Sequence, residues 1–249
     1  MTTFEDNFSR QAREYALHRP RYPRELFGYL ASIAPRRRLA WDCGTGNGQA
    51  ALGLAEHFDR VVATDASAEQ IRLAVPHQRI EYRAEAAEDV SLDPRSTDLV
   101  TVATAAHWFD LERFYARVRG VTSPGGILAV WTYHAALIEP RIDRVLERYH
   151  DDTVGAYWPD GFRHVIAHYR TLPFPFEEIA PPPFEMRTEW TLDQLLGFVG
   201  SWSATQRYRR ERGEDPLASL RPALVDAWDG ASGTLPVRWP LHLRVGRVR

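Results

Sequence analysis

The 249-residue sequence predicts an α/β fold built on a doubly wound, mostly parallel sheet. Three observations predict it. Short apolar runs rich in β-branched residues alternate with helix-patterned segments from about residue 36 to 135. The first run, Leu39–Cys43, leads into the glycine-dense turn Gly44-Thr45-Gly46-Asn47-Gly48 and then into a helix. The second run, Arg60–Asp65, also ends in an acid. Strands joined through helices need crossover connections, and crossovers make neighbouring strands parallel.

Each element has its own warrant. A helix over Arg24–Ala34 starts after Pro23, whose fixed φ suits a first turn. Strands end near Cys43, Asp65, Arg83, Thr104 and Tyr133, and helices fall near Asn47–Phe58, Ala66–Val75 and Leu111–Val121. The continuous apolar character of Asp98–Thr104 marks a strand covered on both faces. After Tyr133 the rhythm breaks. Helices near Pro140–Asp152 and Phe162–Thr171 precede a proline-rich stretch, Pro173–Pro183, and a strand over Phe184–Trp190. Thr191 is a good N-cap for Leu192–Gly200, and helices near Ala204–Arg212 and Pro216–Trp228 follow. The run Pro236–Val248 alternates apolar and charged residues, the pattern of a strand with one wet face. No internal repeat is present. The chain reads as a single domain over 1–249, with a core at about 36–135. A helical cap from about 1–34 and 191–230 is expected over the sheet's carboxyl edge.

The glycine turn carries the chemistry. Glycines allow close backbone approach and positive φ, and a turn feeding a helix at the carboxyl end of a parallel strand is where open α/β sheets bind nucleotides. The spacing narrows the ligand. A dinucleotide site wants G-x-G-x-x-G, whereas Gly44, Gly46 and Gly48 alternate and Gln49 stands at the third glycine's place. A P-loop needs a lysine, and all 31 basic residues here are arginine. Asp42, two residues before Gly44, would repel a phosphate and suits a ligand with an ammonium group. Asp65 lies 23 residues further on, at the end of the second strand, where a carboxylate accepts hydrogen bonds from two ribose hydroxyls.

The pattern D-x-G-x-G-x-G with an acid ending the next strand resembles the class I S-adenosylmethionine (SAM)-dependent methyltransferases. Further runs extend the resemblance in order. They are Ala86-Ala87-Glu88 after the third strand, Ala105-Ala106-His107-Trp108-Phe109-Asp110 after the fourth, and Pro124-Gly125-Gly126 before the fifth. Tyr15 to Pro23, the A-H-W-F-D run and the stretch Trp202 to Tyr208 look like the trans-aconitate methyltransferase-like (methyltransferase type 11) group. The resemblance implies a Rossmann-like, seven-stranded sheet with one antiparallel strand, SAM as cofactor, and methyl transfer to a small-molecule acceptor such as a carboxylic acid. It places Asp42, Gly44, Thr45, Gly46, Gly48, Asp65, Ala66, Ala87, Glu88 and Thr104 at the cofactor. Thr104 stands where related sequences often carry Gln. A non-catalytic SAM- or nucleoside-binding protein of the same fold is the alternative.

Methyl transfer from a sulfonium needs alignment and exclusion of water rather than a metal, and positioning supplies about 7–11 kcal/mol. His107, after the fourth strand, is the candidate base, and Trp108 the candidate wall of the transfer pocket. A carboxylate acceptor is already ionised and needs no base. Tyr15, Arg19, Tyr22, Trp202 and Arg207 are the candidate substrate contacts, the arginines for an acid and the tyrosines for cation–π contact with the sulfonium. No metal is expected. His164 and His168 have helical zinc spacing, but Val165 occupies the glutamate position of the zinc-protease motif.

Composition bounds the rest. A formal net charge of −2 gives no global field for nucleic acid or an anionic membrane. The absence of lysine removes Schiff-base chemistry, and the lone Cys43 reads as a small packing residue. The polar stretch Met1 to Arg13 and the lack of a bilayer-length apolar run lead to the expectation of a cytoplasmic monomer or homodimer with a small-molecule substrate.

Overall fold

The computed structural model describes residues 20–228 and 233–249. The chain divides into two compact units. The larger holds Arg21–His134, Arg163–Glu185 and Pro240–Arg249, and the smaller holds Pro20, Ala135–Phe162 and the described residues between Met186 and Trp239.

The larger unit carries the sheet. Its strands are β1 (Leu39–Cys43), β2 (Arg60–Asp65), β3 (Ile80–Ala84), β4 (Thr97–Ala103), β5 (Thr122–Thr132) and β6 (Glu177–Ile179), joined by most of the last strand, which is numbered β8 (Leu235–Arg247). They lie in the order β3-β2-β1-β4-β5-β8-β6. The first five are parallel, and β8 runs antiparallel to both β5 and β6. This is the expected seven-strand path with one antiparallel member. An eighth strand, β7 (Phe184–Trp190), lies off that path and pairs with β8. β1 sits between β2 and β4 and is almost wholly buried, which explains its apolar character apart from Asp42. Trp41 at its centre is fully buried and donates its indole N–H to Thr64 Oγ1 at 2.9 Å. A buried carboxylate at the other end of the sheet, Asp98, accepts from Ser123 Oγ (2.9 Å), the Arg38 N–H (3.1 Å) and Arg36 Nε (3.3 Å), and so ties the lead-in to β1 to β4 and β5.

Helices follow from local signals and from packing. α1 (Arg24–Ile33) belongs to the larger unit, not to the cap where the sequence placed it. Its Phe27 ring fills the space above Gly53 in α2 (Gln49–Ala55), where an added Cβ would lie 2.2 Å from the ring. α3 (Ala68–Arg72) is capped by Ser67 and is shorter than the Ala66–Val75 expected. α4 (Leu111–Val121) has the expected bounds, with Asp110 accepting from the Arg113 N–H.

In the smaller unit α5 (Pro140–Arg148) gives way to a π-helical turn at Tyr149–Thr153 instead of continuing to Asp152 as an α-helix. α7 (Leu192–Gly200) opens on a capping box between Thr191 and Gln194, and α8 (Ser203–Arg212) and α9 (Leu217–Ala227) follow. Between units in sequence, α6 (Phe162–Ile166) stops well short of Thr171 because His168 and Tyr169 adopt φ of +54° and +59°. Left-handed backbone at residues with a Cβ costs roughly 1–2 kcal/mol each, so other contacts hold this turn. β6, hidden in the proline-rich stretch, was not anticipated. It is an edge strand, where prolines are tolerated nearby, and Phe174 and Phe176 before it pack onto Gly246 of β8. No helix among the described residues is long and apolar enough to cross a membrane.

Candidate active site at the carboxyl edge of the parallel strands

The glycine turn is forced by its backbone. Gly44, Gly46 and Gly48 take φ of +66°, +57° and +89°. A Cβ on Gly44 would lie 2.5 Å from the Ala105 Cβ and 3.1 Å from the Phe109 ring, and one on Gly48 would lie 2.5 Å from the Tyr82 hydroxyl. Gly46 differs, because among the described residues a Cβ there meets nothing nearer than Gln70 Oε1 at 3.9 Å. The outer glycines seat the turn against protein, and the middle one meets open space among the described residues.

Asp65 holds this turn from β2. Its Oδ2 accepts the Gly46 N–H at 2.9 Å and its Oδ1 the Ser67 N–H at 2.8 Å. Each carboxylate oxygen retains a further lone pair. An open cradle of bare backbone beside a carboxylate with two free acceptor sites fits a ribose-bearing ligand, so the residues present suit SAM.

Asp42 corrects the sequence reading. It was expected to face an ammonium group, but its carboxylate is fully buried. The β1–β4 register sets it opposite Thr101, whose hydroxyl donates to Oδ1 at 2.7 Å, while the Thr45 hydroxyl donates to Oδ2 at 2.5 Å. Burial pushes its pKa up to about 6 against the opposing pull of these two bonds. Asp42 therefore organises the turn from beneath.

The other expected cofactor residues take distinct places. Thr45 donates its N–H to the Thr64 carbonyl at 2.9 Å. Ala66 is exposed and Ala87 buried. Glu88 Oε1 accepts the Asp110 N–H at 2.9 Å and so ties the loop after β3 to the start of α4. Thr104 has φ +55°, an outlier for a β-branched residue, and its buried hydroxyl has no partner among the described residues. This strained residue directly precedes Ala105, which packs with Phe109 against Gly44.

His107 and Trp108 lie on the short turn after β4 with ring centroids 4.9 Å apart, and Trp108 is 59% exposed. The His107 Nδ1 lies 2.8 Å from the Tyr169 hydroxyl. Burial depresses the His107 pKa to about 4, with a further push from His164, so the ring is neutral at pH 7. Burial also raises the Tyr169 pKa, so the phenol keeps its proton. The Tyr169 oxygen also meets the Thr132 hydroxyl and the backbone N–H groups of His107 and Ala106, so this hydroxyl joins β5 to the turn that carries His107. Tyr169 and Thr101 gave no local sequence signal for these roles. Each is defined by what lies across the fold.

The candidate substrate residues that the structure describes are divided between the two units. Tyr15 and Arg19 lie outside the described residues. Tyr22 packs edge-on against Trp131 with centroids 5.5 Å apart. In the smaller unit, Trp202 is packed among Tyr149, His150, Trp158 and Phe198. Arg207 is an exposed helix residue whose Nε donates to Glu211 at 2.6 Å. His164 and His168 do not converge, since His164 bonds Thr171 and His168 stacks on His242. Cys43 is buried, and burial raises its thiol pKa, as suits a packing residue.

One prediction concerns Asp65→Ala. Losing charge-assisted hydrogen bonds worth about 1.5–3 kcal/mol each should weaken S-adenosylhomocysteine binding at least about tenfold, measured by calorimetry. An unchanged dissociation constant would remove Asp65 from the site.

Residues 41–130 match the methyltransferase domain family model. A Dictyostelium discoideum protein named as a methyltransferase is 31% identical, over 97% of this chain and 95% of its own. The Saccharomyces cerevisiae protein CRG1, named as an S-adenosylmethionine-dependent methyltransferase, is 25% identical over 83% of each chain. Among solved structures, one of an Anaeromyxobacter dehalogenans protein described as a type II methyltransferase superposes with a TM-score of 0.85 at 47% identity, covering 92% of this chain and 98% of that one. These relatives do not single out the trans-aconitate methyltransferase-like group. The glycine cradle and both acids lie inside the matched segment, and with that likeness sustained along the chain, it belongs to the class I SAM-dependent methyltransferases and uses S-adenosylmethionine as its cofactor.

Proposed function

We propose that this methyltransferase acts on a small-molecule acid and methylates its ionised carboxylate. The observation that carries the reading is the state of His107, a neutral ring with its pKa near 4 beside the exposed Trp108 at the end of β4. So weak a base is about six orders of magnitude short of deprotonating a phenol of pKa about 10. It suits an acceptor that arrives ionised. With the Tyr169 hydroxyl donating to Nδ1, Nε2 would carry the ring proton and donate it to one carboxylate oxygen. Trp108 supplies an apolar wall that excludes water from the transfer line.

SAM, when bound, supplies an electrophilic methyl group on its sulfonium. The chain's own part is to hold and align. Gly44 to Gly48 and Asp65 grip the nucleoside, Ala66, Ala87, Glu88 and Thr104 border it, and His107 and Trp108 orient the acceptor. A library of small acids assayed with radiolabelled methyl should yield label that alkali releases as methanol, the signature of a methyl ester. At saturating cofactor the rate should be flat from about pH 7 to 9, because carboxylate and His107 have both finished titrating below that range. Label confined to phenols or amines, or a rate rising steeply across that range, would defeat the proposal. No transfer to any acceptor with S-adenosylhomocysteine binding intact would favour a non-catalytic SAM-binding protein.

A further inference from the structure

On the larger unit, apart from the glycine turn, a cleft of about 600 Å³ lies between the turn after α6 and the neighbouring strands β8 and β6, with Pro181, Pro182 and Pro183 along one wall. The left-handed backbone at His168 delivers its ring face to face with His242 of β8, at 3.6 Å between centroids and 5° between planes. Arg170 lines the same cleft, is exposed, and has no carboxylate partner among the described residues. Arg244 is different. Its guanidinium bonds both oxygens of Glu178, so those charges match each other. The remaining balance is one unmatched guanidinium and two stacked imidazoles.

We propose that this cleft is a second binding site, one that takes a dianionic phosphate group held by Arg170, His168 and His242. A strained turn that brings two imidazoles together beside an uncompensated cation gathers the donors and charge that bind an anion. Arg170 answers one negative charge, and the imidazoles, once protonated, answer the second and donate hydrogen bonds to the remaining oxygens. Burial lowers the pKa of both rings, His242 to about 4, and Arg170 depresses each further, as His168 does for His242. Both rings are therefore neutral in the free protein. Of the charged groups facing them, Arg170 opposes their protonation, while Arg244 and Glu178 cancel. A bound dianion reverses that balance, so binding takes up protons and tightens as pH falls from about 9 to 7.5, where the phosphate group is itself still mostly dianionic.

Titration calorimetry with inorganic phosphate and, separately, glycerol 3-phosphate tests this on the full chain, in two buffers of different ionisation enthalpy. Saturable binding with net proton uptake is expected, weakened at least tenfold in Arg170→Ala and in His242→Asn, with S-adenosylhomocysteine binding unchanged in Arg170→Ala. Tighter binding of the ester would identify a phosphomonoester ligand, and equal or tighter binding of the inorganic ion would identify free phosphate; both sustain the site. Should His242→Asn fail to fold, Arg170→Ala decides alone. No saturable binding of either probe, parental affinity in Arg170→Ala, or binding without proton uptake would overturn the proposal.

Discussion

Gly46→Val is expected to abolish cofactor binding while leaving a folded protein. At φ +57° a β-branched residue is a backbone outlier, which costs roughly 1–2 kcal/mol and lowers the melting temperature by a few degrees, about 2–4 °C per kcal/mol at this size. The described residues leave room for the side chain, since the nearest of their atoms to an added Cβ is Gln70 Oε1 at 3.9 Å. The isopropyl group therefore enters the space the ligand needs. S-adenosylhomocysteine affinity should fall more than about a hundredfold, equivalent to more than about 2.7 kcal/mol. Gly46→Ala carries similar backbone strain with less bulk and should lose less. Binding by the valine variant at parental affinity would sink the assignment of the turn.

Asp42→Asn should do the opposite to stability. Burial raises the Asp42 pKa to about 6 from 3.8, so the folded state keeps this proton over a range where the unfolded chain has released it. Stability from this group is fully present below about pH 4 and is lost as pH rises through about 6. The loss is on the order of 3 kcal/mol above pH 7. An asparagine of the same shape carries no charge, and the Thr101 and Thr45 hydroxyls can reorient to pair with it. Denaturant unfolding should show the variant more stable than the parent at pH 8, by up to about 3 kcal/mol, and no more stable at pH 4. The buried charge attracts the cation of SAM through a low-dielectric path, so the variant should bind SAM at least tenfold more weakly and S-adenosylhomocysteine, which lacks the sulfonium, less so. Equal losses for the two ligands would show that Asp42 acts on shape alone.

Much of the sheet was legible because its signals are local. Five strand ends fall within a residue of expectation, and α4, β7 and α7 have the expected bounds, since apolar runs, Asp110 and Thr191 act within a turn of where they stand. Three elements departed for reasons that lie elsewhere in the chain. α6 ends where His168 and Tyr169 are drawn into left-handed backbone, with Tyr169 facing His107 and His168 facing His242. β6 forms because β8 lies beside it, and α1 joins the larger unit because Gly53 leaves room for Phe27.

The sequence by itself determined the strand–helix alternation, the glycine turn and the two acids at their strand ends. These follow from hydrophobic period, missing Cβ atoms and residue spacing, all of which act over a few residues. Only the tertiary structure decided that Asp42 is buried under Thr45 and Thr101, that Tyr169, 62 residues away, meets His107 Nδ1, and that His168 meets His242 beside Arg170. Burial and through-space pairing set pKa, and both depend on which distant residues the fold brings to the same place.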